Sequence, residues 1–343
     1  MEWPDKNYIF LNLLARLKEI RAWSSRKRFY CKALKGDSDY SVCINSDMNV
    51  SCNCNDAYGL GKIGNIDRES LEEIFRGKKA ESFRRKLTNG KLPIPNCAVC
   101  DELSCVDKKR AEEYSAFFNL PLKGIMVENT IKCNLNCLSC SRRMIAGQRK
   151  KMALSLKDVE KIARLVNKYG IKKICYFNLG EPFFSDTIKN ELEIIKKANP
   201  GIYLSISTNG MLLNSMENID SALLLDDIIF SIDGSTQASI QIYQRGMDFK
   251  QAYSNMANLA AVRNSRGLKR PKITWKYVLF RWNDSRPLLI RAIELAKEAD
   301  VDYIDFVLTR SPLFGISYRH LFGVGYLDKV AKRKGITYSL KIS

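Results

Sequence analysis

The sequence predicts an α/β fold: a partial (β/α)6 barrel of the TIM type, preceded by a small cysteine-rich amino-terminal domain. Three observations lead to this prediction. From about residue 124, six strand-like runs alternate with helical segments. Polar, glycine-containing turns follow several of these runs, as they do at the carboxyl ends of parallel strands. Seven of the eleven cysteines fall within residues 31–105, which sets that region apart from the rest.

The strand-like runs are rich in β-branched, aromatic and other apolar residues. They cover residues 125–128, 173–178, 202–207, 227–232, 273–280 and 303–308. Helical segments follow the first, second, fourth and fifth of them, at 155–169, 185–199, 249–263 and 288–299. Because parallel strands need long crossover connections, this alternation predicts βα units, with an active site at the carboxyl ends of the strands.

The helix predicted over 155–169 shows the clearest local signals. Its apolar side chains recur at helical spacing, at Val159, Ile162, Val166 and Tyr169. Ser155 followed by Asp158 predicts a capping box at its start, and Gly170 predicts its end. In the cysteine-rich region, Ser70 and Glu73 predict a second capping box, for a helix over 70–76.

We divide the chain into four segments. Residues 1–30 are predicted to form a basic helical lead-in, with apolar residues near helical spacing at Leu11, Leu14, Leu17 and Ile20. Residues 31–105 form the cysteine-rich domain, and residues 106–123, rich in charged side chains, connect it to the next. Residues 124–343 form the α/β domain.

The composition indicates a globular protein in a reducing compartment. Hydrophobic residues make up 45% of the chain, and no apolar stretch approaches the roughly 20 residues of a membrane helix. The first residues lack a signal-peptide pattern, so eleven cysteines indicate thiols or metal ligands and not disulfides. We therefore expect a cytoplasmic protein without a membrane partner. The net charge of +19 predicts either an anionic partner or a lysine-rich solvated surface.

The most informative motif is Cys133, Cys137 and Cys140, a CxxxCxxC spacing that follows the first predicted strand. Three thiolates so close together can hold three irons of a cubane iron–sulfur cluster and leave the fourth iron open for a small molecule. A structural zinc ion normally takes four protein ligands. The chain has a single histidine, which nearly excludes mixed cysteine–histidine zinc sites.

Four further polar motifs follow later strands. After the second strand comes Gly180-Glu181-Pro182, where the glycine allows close backbone approach and the carboxylate can bind an ammonium. The third strand ends at a polar turn containing Thr208 and Asn209, and the fourth ends near Ser231. Beyond it, Arg245 offers a guanidinium suited to a carboxylate. Each motif alone is a common turn, but their order at successive strand ends indicates one site.

In these motifs the chain resembles the radical S-adenosylmethionine (SAM) superfamily, over roughly residues 124–310. The resemblance implies a [4Fe–4S] cluster on Cys133, Cys137 and Cys140, whose open iron chelates SAM. It also implies that the reduced cluster cleaves SAM to methionine and a 5′-deoxyadenosyl radical, which abstracts a substrate hydrogen. The remaining residues would then contact SAM: the methionine ammonium at Gly180, Glu181 and Pro182, the ribose or methionine at Thr208, Asn209 and Ser231, and the carboxylate at Arg245.

One position departs from the family pattern. An aromatic or large apolar residue usually precedes the last cysteine of the loop, and here Ser139 takes that place. The adenine must then pack against other residues, such as Leu138 or the fifth strand.

The amino-terminal region resembles the auxiliary-cluster (SPASM or twitch) domains of the same superfamily. It has the hairpin at 43–52, then Gly64-Asn65-Ile66, the helix at 70–76 and the CxxC pair Cys97 and Cys100. These domains usually follow the radical SAM domain, whereas this one precedes it. We expect one auxiliary [4Fe–4S] cluster on Cys31, Cys52, Cys97 and Cys100, with Cys43, Cys54 and Cys105 as substitute ligands. A four-cysteine zinc site is the alternative.

These resemblances predict an enzyme that abstracts hydrogen from a polar small molecule, such as a sugar derivative, and oxidises or epimerises it. Epimerisation needs a hydrogen-donating thiol, for which Cys175 is one candidate. A flavodoxin or ferredoxin would supply the electron. One alternative is a maturase that modifies a peptide or protein side chain. Another, from a different class, is a non-catalytic zinc protein that contacts RNA, although we expect no nucleic-acid partner.

Overall fold

The computed structural model describes residues 6–54, 56, 58–309, 312–322 and 325–342. The chain forms two compact units. The first unit comprises Met1–Asn129, Ser141–Asn178 and Ala198–Ile202, and the second comprises Thr130–Cys140, Leu179–Lys197 and Tyr203–Ser343. No helix in the described part of the chain is long and apolar enough to cross a membrane.

The first unit contains two groups of paired strands. Its strands are β1 (Lys27–Cys31), β2 (Cys43–Ile44), β3 (Asn49–Ser51), β4 (Lys62–Asn65), β5 (Leu103–Asp107), β6 (Ile125–Val127) and β7 (Lys173–Cys175). β1 and β5 form an antiparallel pair. The other strands lie in the order β7-β6-β2-β3-β4, in which β7-β6 and β6-β2 are parallel and the remaining pairs are antiparallel. The β2-β3 pair confirms the predicted hairpin at 43–52.

The helices of the first unit begin and end largely where local signals predict. They are α1 (Lys6–Ser24), α2 (Lys32–Lys35), α3 (Leu71–Arg76), α4 (Lys78–Thr88), α5 (Lys108–Ala116), α6 (Arg142–Ile145) and α7 (Leu156–Tyr169). Both predicted capping boxes are present, Ser70 with Glu73 and Ser155 with Asp158. Gly170 ends α7 in the left-handed conformation, with φ of 64°.

Helix α1 forms within the predicted helical lead-in, and its most buried side chains are small or polar. Leu17 and Ile20 are 54% and 61% exposed, whereas Ala15, Glu19 and Ala22 are buried. The small alanines let the helix approach the 3-10 helix Pro95–Val99 closely. The Glu19 carboxylate accepts a hydrogen bond from the backbone N–H of Leu92 at 2.8 Å, which satisfies a buried donor. Leu11 and Leu14 are half-buried, so the apolar residues at helical spacing are only partly covered.

The strands of the second unit are parallel and pair in chain order. They are β8 (Tyr203–Thr208), β9 (Asp227–Ser231), β10 (Lys272–Leu279), β11 (Tyr303–Leu308) and β12 (Thr337–Ile342). β6 to β11 correspond to the six predicted strands, and β12 was not predicted. Together with the helices between them, they confirm the predicted α/β class with the strands of a partial (β/α)6 barrel.

The helices of the second unit cover its sheet and position the strand ends. They are α8 (Ile188–Ala198), α9 (Met216–Ala222), α10 (Gln237–Ile240), α11 (Phe249–Ser265), α12 (Arg286–Glu298) and α13 (Gly325–Lys334). The core contains fully buried aromatic side chains, Phe230, Trp275, Tyr277 and Phe306. The Trp275 indole donates to the carbonyl of Ile232 at 2.8 Å, so the core fixes the backbone just beyond the carboxyl end of β9.

Candidate active site

The cysteine loop, Cys133 to Cys140, is fastened by backbone hydrogen bonds to a second segment of the same unit. The N–H of Asn136 donates to the carbonyl of Arg245 at 3.0 Å, and the N–H of Leu138 donates to the carbonyl of Tyr243 at 2.9 Å. Within the loop, the N–H of Cys140 donates to the carbonyl of Cys137 at 3.3 Å. The segment 243–245 therefore fixes the shape of the loop. Arg245 contributes to it through its backbone, while its side chain is exposed.

The chemistry of the loop is that of neighbouring thiols. Cys133, Cys137 and Cys140 are half-buried thiols, not disulfides. The backbone N–H of Leu135 donates to the Cys133 sulfur at 3.4 Å. Burial raises the pKa of Cys137, as do the nearby charges of Cys140, Asp233 and Cys133. Thiolates that repel one another in this way fit a site in which a metal core supplies the compensating positive charge.

Glu181 joins three of the predicted motifs. Its backbone N–H donates to the carbonyl of Lys132, next to Cys133, at 2.8 Å. Its carboxylate accepts hydrogen bonds from the Thr208 hydroxyl at 2.6 Å and from the Asn209 N–H at 2.8 Å. The side chain is buried, with 2% of the residue exposed, and burial raises its pKa to about 7, against the opposing effect of these donors. Glu181 thus connects the turn after β8 to the start of the cysteine loop.

A second contact links the turn after β8 to the cysteine loop directly. The Asn209 side-chain amide donates to the Asn134 side-chain oxygen at 2.8 Å. The same Asn209 side chain accepts a hydrogen bond from the N–H of Met211 at 2.9 Å, which fixes its orientation. Asn134 lies between the first two cysteines and was missed from sequence, because an asparagine in a loop carries no signal of its distant partner.

Position 180 requires a glycine because the backbone at Thr130 and Lys132 passes very close to it. A Cβ at this position would lie 2.0 Å from the carbonyl oxygen of Thr130 and 2.9 Å from that of Lys132. No side chain fits there without displacing the chain that leads into the cysteine loop. Pro182 begins a short 3-10 helix, Pro182–Phe184, and the N–H of Phe183 donates to the Glu181 carboxylate at 3.3 Å.

Ser231 ends β9, and an unpredicted glutamine ties it to the segment 243–245. The Gln244 side-chain amide donates to the Ser231 carbonyl at 2.9 Å. Its side-chain oxygen accepts a hydrogen bond from the N–H of Asp233 at 2.7 Å. The strand end that carries Ser231 is thereby fixed to the segment that binds the cysteine loop. Gln244 was missed because it acts through backbone partners 11 and 13 residues away.

Buried Asp233 and half-buried Tyr243 add two polar groups near the cysteines. Burial raises the pKa of Asp233 to about 6, opposed by the charge of Lys276 and the N–H of Val278. The Tyr243 ring packs on Phe280, with 4.4 Å between the ring centroids. The charges of Asp233, Cys137 and Cys140 add to burial in raising the pKa of Tyr243. Tyr243, on the segment that pairs with Leu138, is therefore an aromatic residue near the loop that the sequence analysis did not single out.

The four predicted auxiliary ligands line one cavity in the first unit. Cys31, Cys52, Cys97 and Cys100 face it together with apolar side chains such as Leu34 and Phe83. Burial raises the pKa of Cys52, and the charges of Cys31, Cys97 and Cys100 raise it further. The Asn53 amide donates to the Cys100 sulfur at 3.1 Å. Four thiols around one cavity match the donor set of a closed cubane.

The three substitute ligands are not among the residues that line this cavity. Cys105 is exposed on β5, and Cys43 packs with Cys54, Cys175 and Met126 in a hydrophobic cluster of the first unit. Among the described residues, no three cysteine, histidine, aspartate or glutamate side chains lie close enough to hold a single metal ion. A cubane carries one thiolate on each iron and so spreads its ligands more widely than a single zinc ion does.

The fold and this loop define a radical SAM domain. Residues 128–285 match the family model of the radical SAM superfamily, and residues 33–101 match that of an iron–sulfur cluster-binding domain, SPASM. The chain therefore contains a radical SAM domain, and a SPASM domain precedes it. The first domain implies a [4Fe–4S] cluster and SAM, and the second implies an auxiliary iron–sulfur cluster.

Similar proteins include two with a named reaction. A probable GTP 3′,8-cyclase of Pyrococcus abyssi is 32% identical over 119 residues, which cover 34% of this chain and 36% of that protein. A GTP 3′,8-cyclase of Chlorobaculum tepidum is 29% identical over 189 residues, covering 54% of this chain and 53% of that protein. The chain thus spans between about a third and a half of the length of these relatives.

Among solved structures, Streptococcus suis SuiB shares the fold. SuiB bound to S-adenosylmethionine aligns with a TM-score of 0.50 and 15% identity, over 93% of this chain and 72% of that chain. SuiB bound to the precursor peptide SuiA aligns with a TM-score of 0.51 and 16% identity, over 76% of this chain and 62% of that chain. At identities this low, the alignments are evidence of a common fold only.

Proposed function

We propose that this radical SAM enzyme holds its cluster on Cys133, Cys137 and Cys140 and abstracts hydrogen from a polar small molecule. The observation that carries the proposal is the junction at Glu181. Its N–H binds the start of the cysteine loop, while its carboxylate binds Thr208 and Asn209. One buried group thereby holds three separately predicted motifs in a fixed arrangement, which supports a common ligand for them.

The residues around the loop would bind and orient SAM. Cluster and SAM, when bound, supply the hydrogen-abstracting radical chemistry. Gly180, Glu181 and Pro182 would face the methionine ammonium, and the exposed guanidinium of Arg245 would pair with the carboxylate. Because both Glu181 carboxylate oxygens already accept hydrogen bonds from the protein, we assign this side chain a positioning role as well.

The other polar residues would contact the remainder of SAM. Thr208, Asn209 and Ser231 would lie near the ribose or the methionine. Asn209 is oriented for this by its hydrogen bonds to Asn134 and Met211. Since Ser139 replaces the usual large residue, we assign adenine packing to Tyr243 or Leu138, whose backbones are paired with each other.

In the first unit, Cys31, Cys52, Cys97 and Cys100 would hold the auxiliary [4Fe–4S] cluster. The cavity that these four residues line supports this assignment over Cys43, Cys54 and Cys105, which are not among its lining residues. Four cysteine ligands would close the cluster, which favours a role in electron transfer over direct substrate binding. An electron acceptor of this kind fits a dehydrogenation better than a redox-neutral outcome.

For the substrate, we propose a polar small molecule and take a purine nucleotide as the first compound to test. The relatives with a named reaction are GTP 3′,8-cyclases, and they match part of the chain only. The net charge of +19 favours an anionic substrate. A peptide substrate, as SuiB binds, would be distinguished by the same assay.

The test follows hydrogen transfer. The anaerobically reconstituted protein is incubated with SAM, a reductant (dithionite, or a flavodoxin with its reductase) and either GTP, a nucleotide sugar or a peptide, each in deuterated form. We expect deuterium to enter 5′-deoxyadenosine with the small molecule and not with the peptide. Deuterium transfer from the peptide alone would contradict the substrate proposal. Absence of 5′-deoxyadenosine from fully loaded protein under every condition would contradict the reaction.

A further inference from the structure

We propose that the first unit carries a separate anion-binding pocket, suited to a small molecule with a phosphate group. A cavity of about 350 Å³ lies between the end of α1, the start of β1 and β5. Lys18, Arg21 and Lys27 line it, over an apolar floor that includes Phe29 and Leu103. Its volume falls in the range of small-molecule sites. The inference does not depend on the reaction proposed above.

The positive charges of the pocket have no acidic neighbour among its described lining residues. Within the described residues, Lys18, Arg21 and Lys27 make no ion pair, whereas Arg16 and Lys91 both pair with Glu19 nearby. Three cations around one concave space repel one another, and low-dielectric walls strengthen their attraction for a counter-anion. A bound anion of charge −2 or −3 would balance them.

The fold builds this arrangement from two elements. Lys18 and Arg21 lie three residues apart, so they project from one side of α1. After the helix, Arg26 adopts the left-handed conformation with φ of 54°, and this turn leads Lys27 into β1. Asp107 is the register partner of Lys27 on β5, but it neither lines the pocket nor pairs with Lys27 in the described structure.

The shape and lining select the ligand class. A concave site with three separate cations suits the several oxygens of a phosphate or diphosphate better than a single carboxylate. The apolar floor of Phe29 and Leu103 suits the uncharged body of the same molecule. Leu103 also lines the cavity of the four auxiliary cysteines. A ligand bound here would therefore lie beside the auxiliary site.

Anion binding in the pocket can be followed through the reactivity of Cys105, because this exposed thiol is one of the lining residues. In the reconstituted protein, Cys105 is alkylated with iodoacetate, which is anionic, and with the neutral iodoacetamide. At low salt, we expect the ratio of the iodoacetate rate to the iodoacetamide rate to be about tenfold higher at Cys105 than at a free thiol. Added salt should remove this preference. Cys105→Ser identifies the modified thiol.

Competition between different anions tests the proposed class of ligand, a molecule with a phosphate group. Pyrophosphate and GTP should protect Cys105 at concentrations where citrate and equal ionic strength of sodium chloride do not. Arg21→Gln should lose both the iodoacetate preference and the protection. Arg16→Gln is the matched control, since it removes the same charge from the same helix outside the pocket. Equal effects of the two variants, or protection by salt alone, would overturn the proposal, and protection by citrate alone would overturn the phosphate assignment.

Discussion

The Thr208 hydroxyl donates a 2.6 Å hydrogen bond to the carboxylate of Glu181, at a point where both side chains are buried. Thr208 ends β8, while Glu181 precedes the 3-10 helix Pro182–Phe184. The hydroxyl oxygen in turn accepts a hydrogen bond from the N–H of Gly210 at 3.0 Å. This pair therefore connects the turn after β8 to the backbone that supports the cysteine loop.

Removing the Thr208 hydroxyl should destabilise the protein. Thr208→Val keeps the shape but leaves the Glu181 carboxylate and the Gly210 N–H each short of one partner. We expect a loss of about 2 kcal/mol in the free energy of unfolding, the scale of a hydrogen bond to a charged group. Thr208→Ser retains the hydroxyl and should lose less than about 1 kcal/mol. Denaturant unfolding measures both, and equal losses would contradict the role of the hydroxyl.

Glu181 should make stability depend on pH. Burial raises its pKa from 4.5 to about 7, so the folded state binds its proton more tightly than the unfolded state does. Stability should then fall as pH rises from 4.5 to about 7, because deprotonation favours the unfolded chain. Between pH 6 and pH 8 the wild type should lose about 1 kcal/mol more than Glu181→Gln, which cannot titrate. If the free energies of unfolding of the two proteins changed equally with pH, the raised pKa of Glu181 would be contradicted.

Gly180 should not tolerate a methyl group. In Gly180→Ala the new Cβ would meet the Thr130 and Lys132 carbonyls, so the backbone before Cys133 must move. We expect a loss of about 1–3 kcal/mol in stability and weaker SAM binding by calorimetry. Gly201→Ala is the matched control, because a Cβ there would meet nothing within 4 Å. Similar losses in both variants would show that the close approach is unimportant.

The iron content of cysteine variants tests which residues bind the auxiliary cluster. A Cys133, Cys137 and Cys140 triple alanine variant should retain about four irons per chain on the auxiliary site. Adding Cys31→Ser, Cys52→Ser, Cys97→Ser or Cys100→Ser should reduce that content, whereas adding Cys54→Ser should not. Iron and sulfide analysis measures both. Zinc in place of iron would contradict the cluster, and loss of iron with Cys54→Ser would contradict the ligand set.

Sequence patterns predicted the elements that depend on neighbouring residues. The capping box at Ser155 and the helix end at Gly170 are local signals and were predicted correctly. The second strand was predicted to extend too far. Tyr176 is buried like a strand residue, but the hydrogen-bonded strand ends at Cys175. Asn134 and Gln244 were missed because their partners are distant in sequence, and hydrogen bonds of that kind leave no periodic pattern.

The central claim is tested most directly by measuring 5′-deoxyadenosine after anaerobic reconstitution and incubation with SAM and dithionite. The wild type should form it, and Cys54→Ala, a half-buried cysteine outside the loop, should form it at a similar rate. Cys137→Ala should reduce formation to the background without protein, since three thiolates are needed to hold the site-differentiated cluster. Undiminished formation by Cys137→Ala, or none by fully loaded wild type, would contradict the assignment.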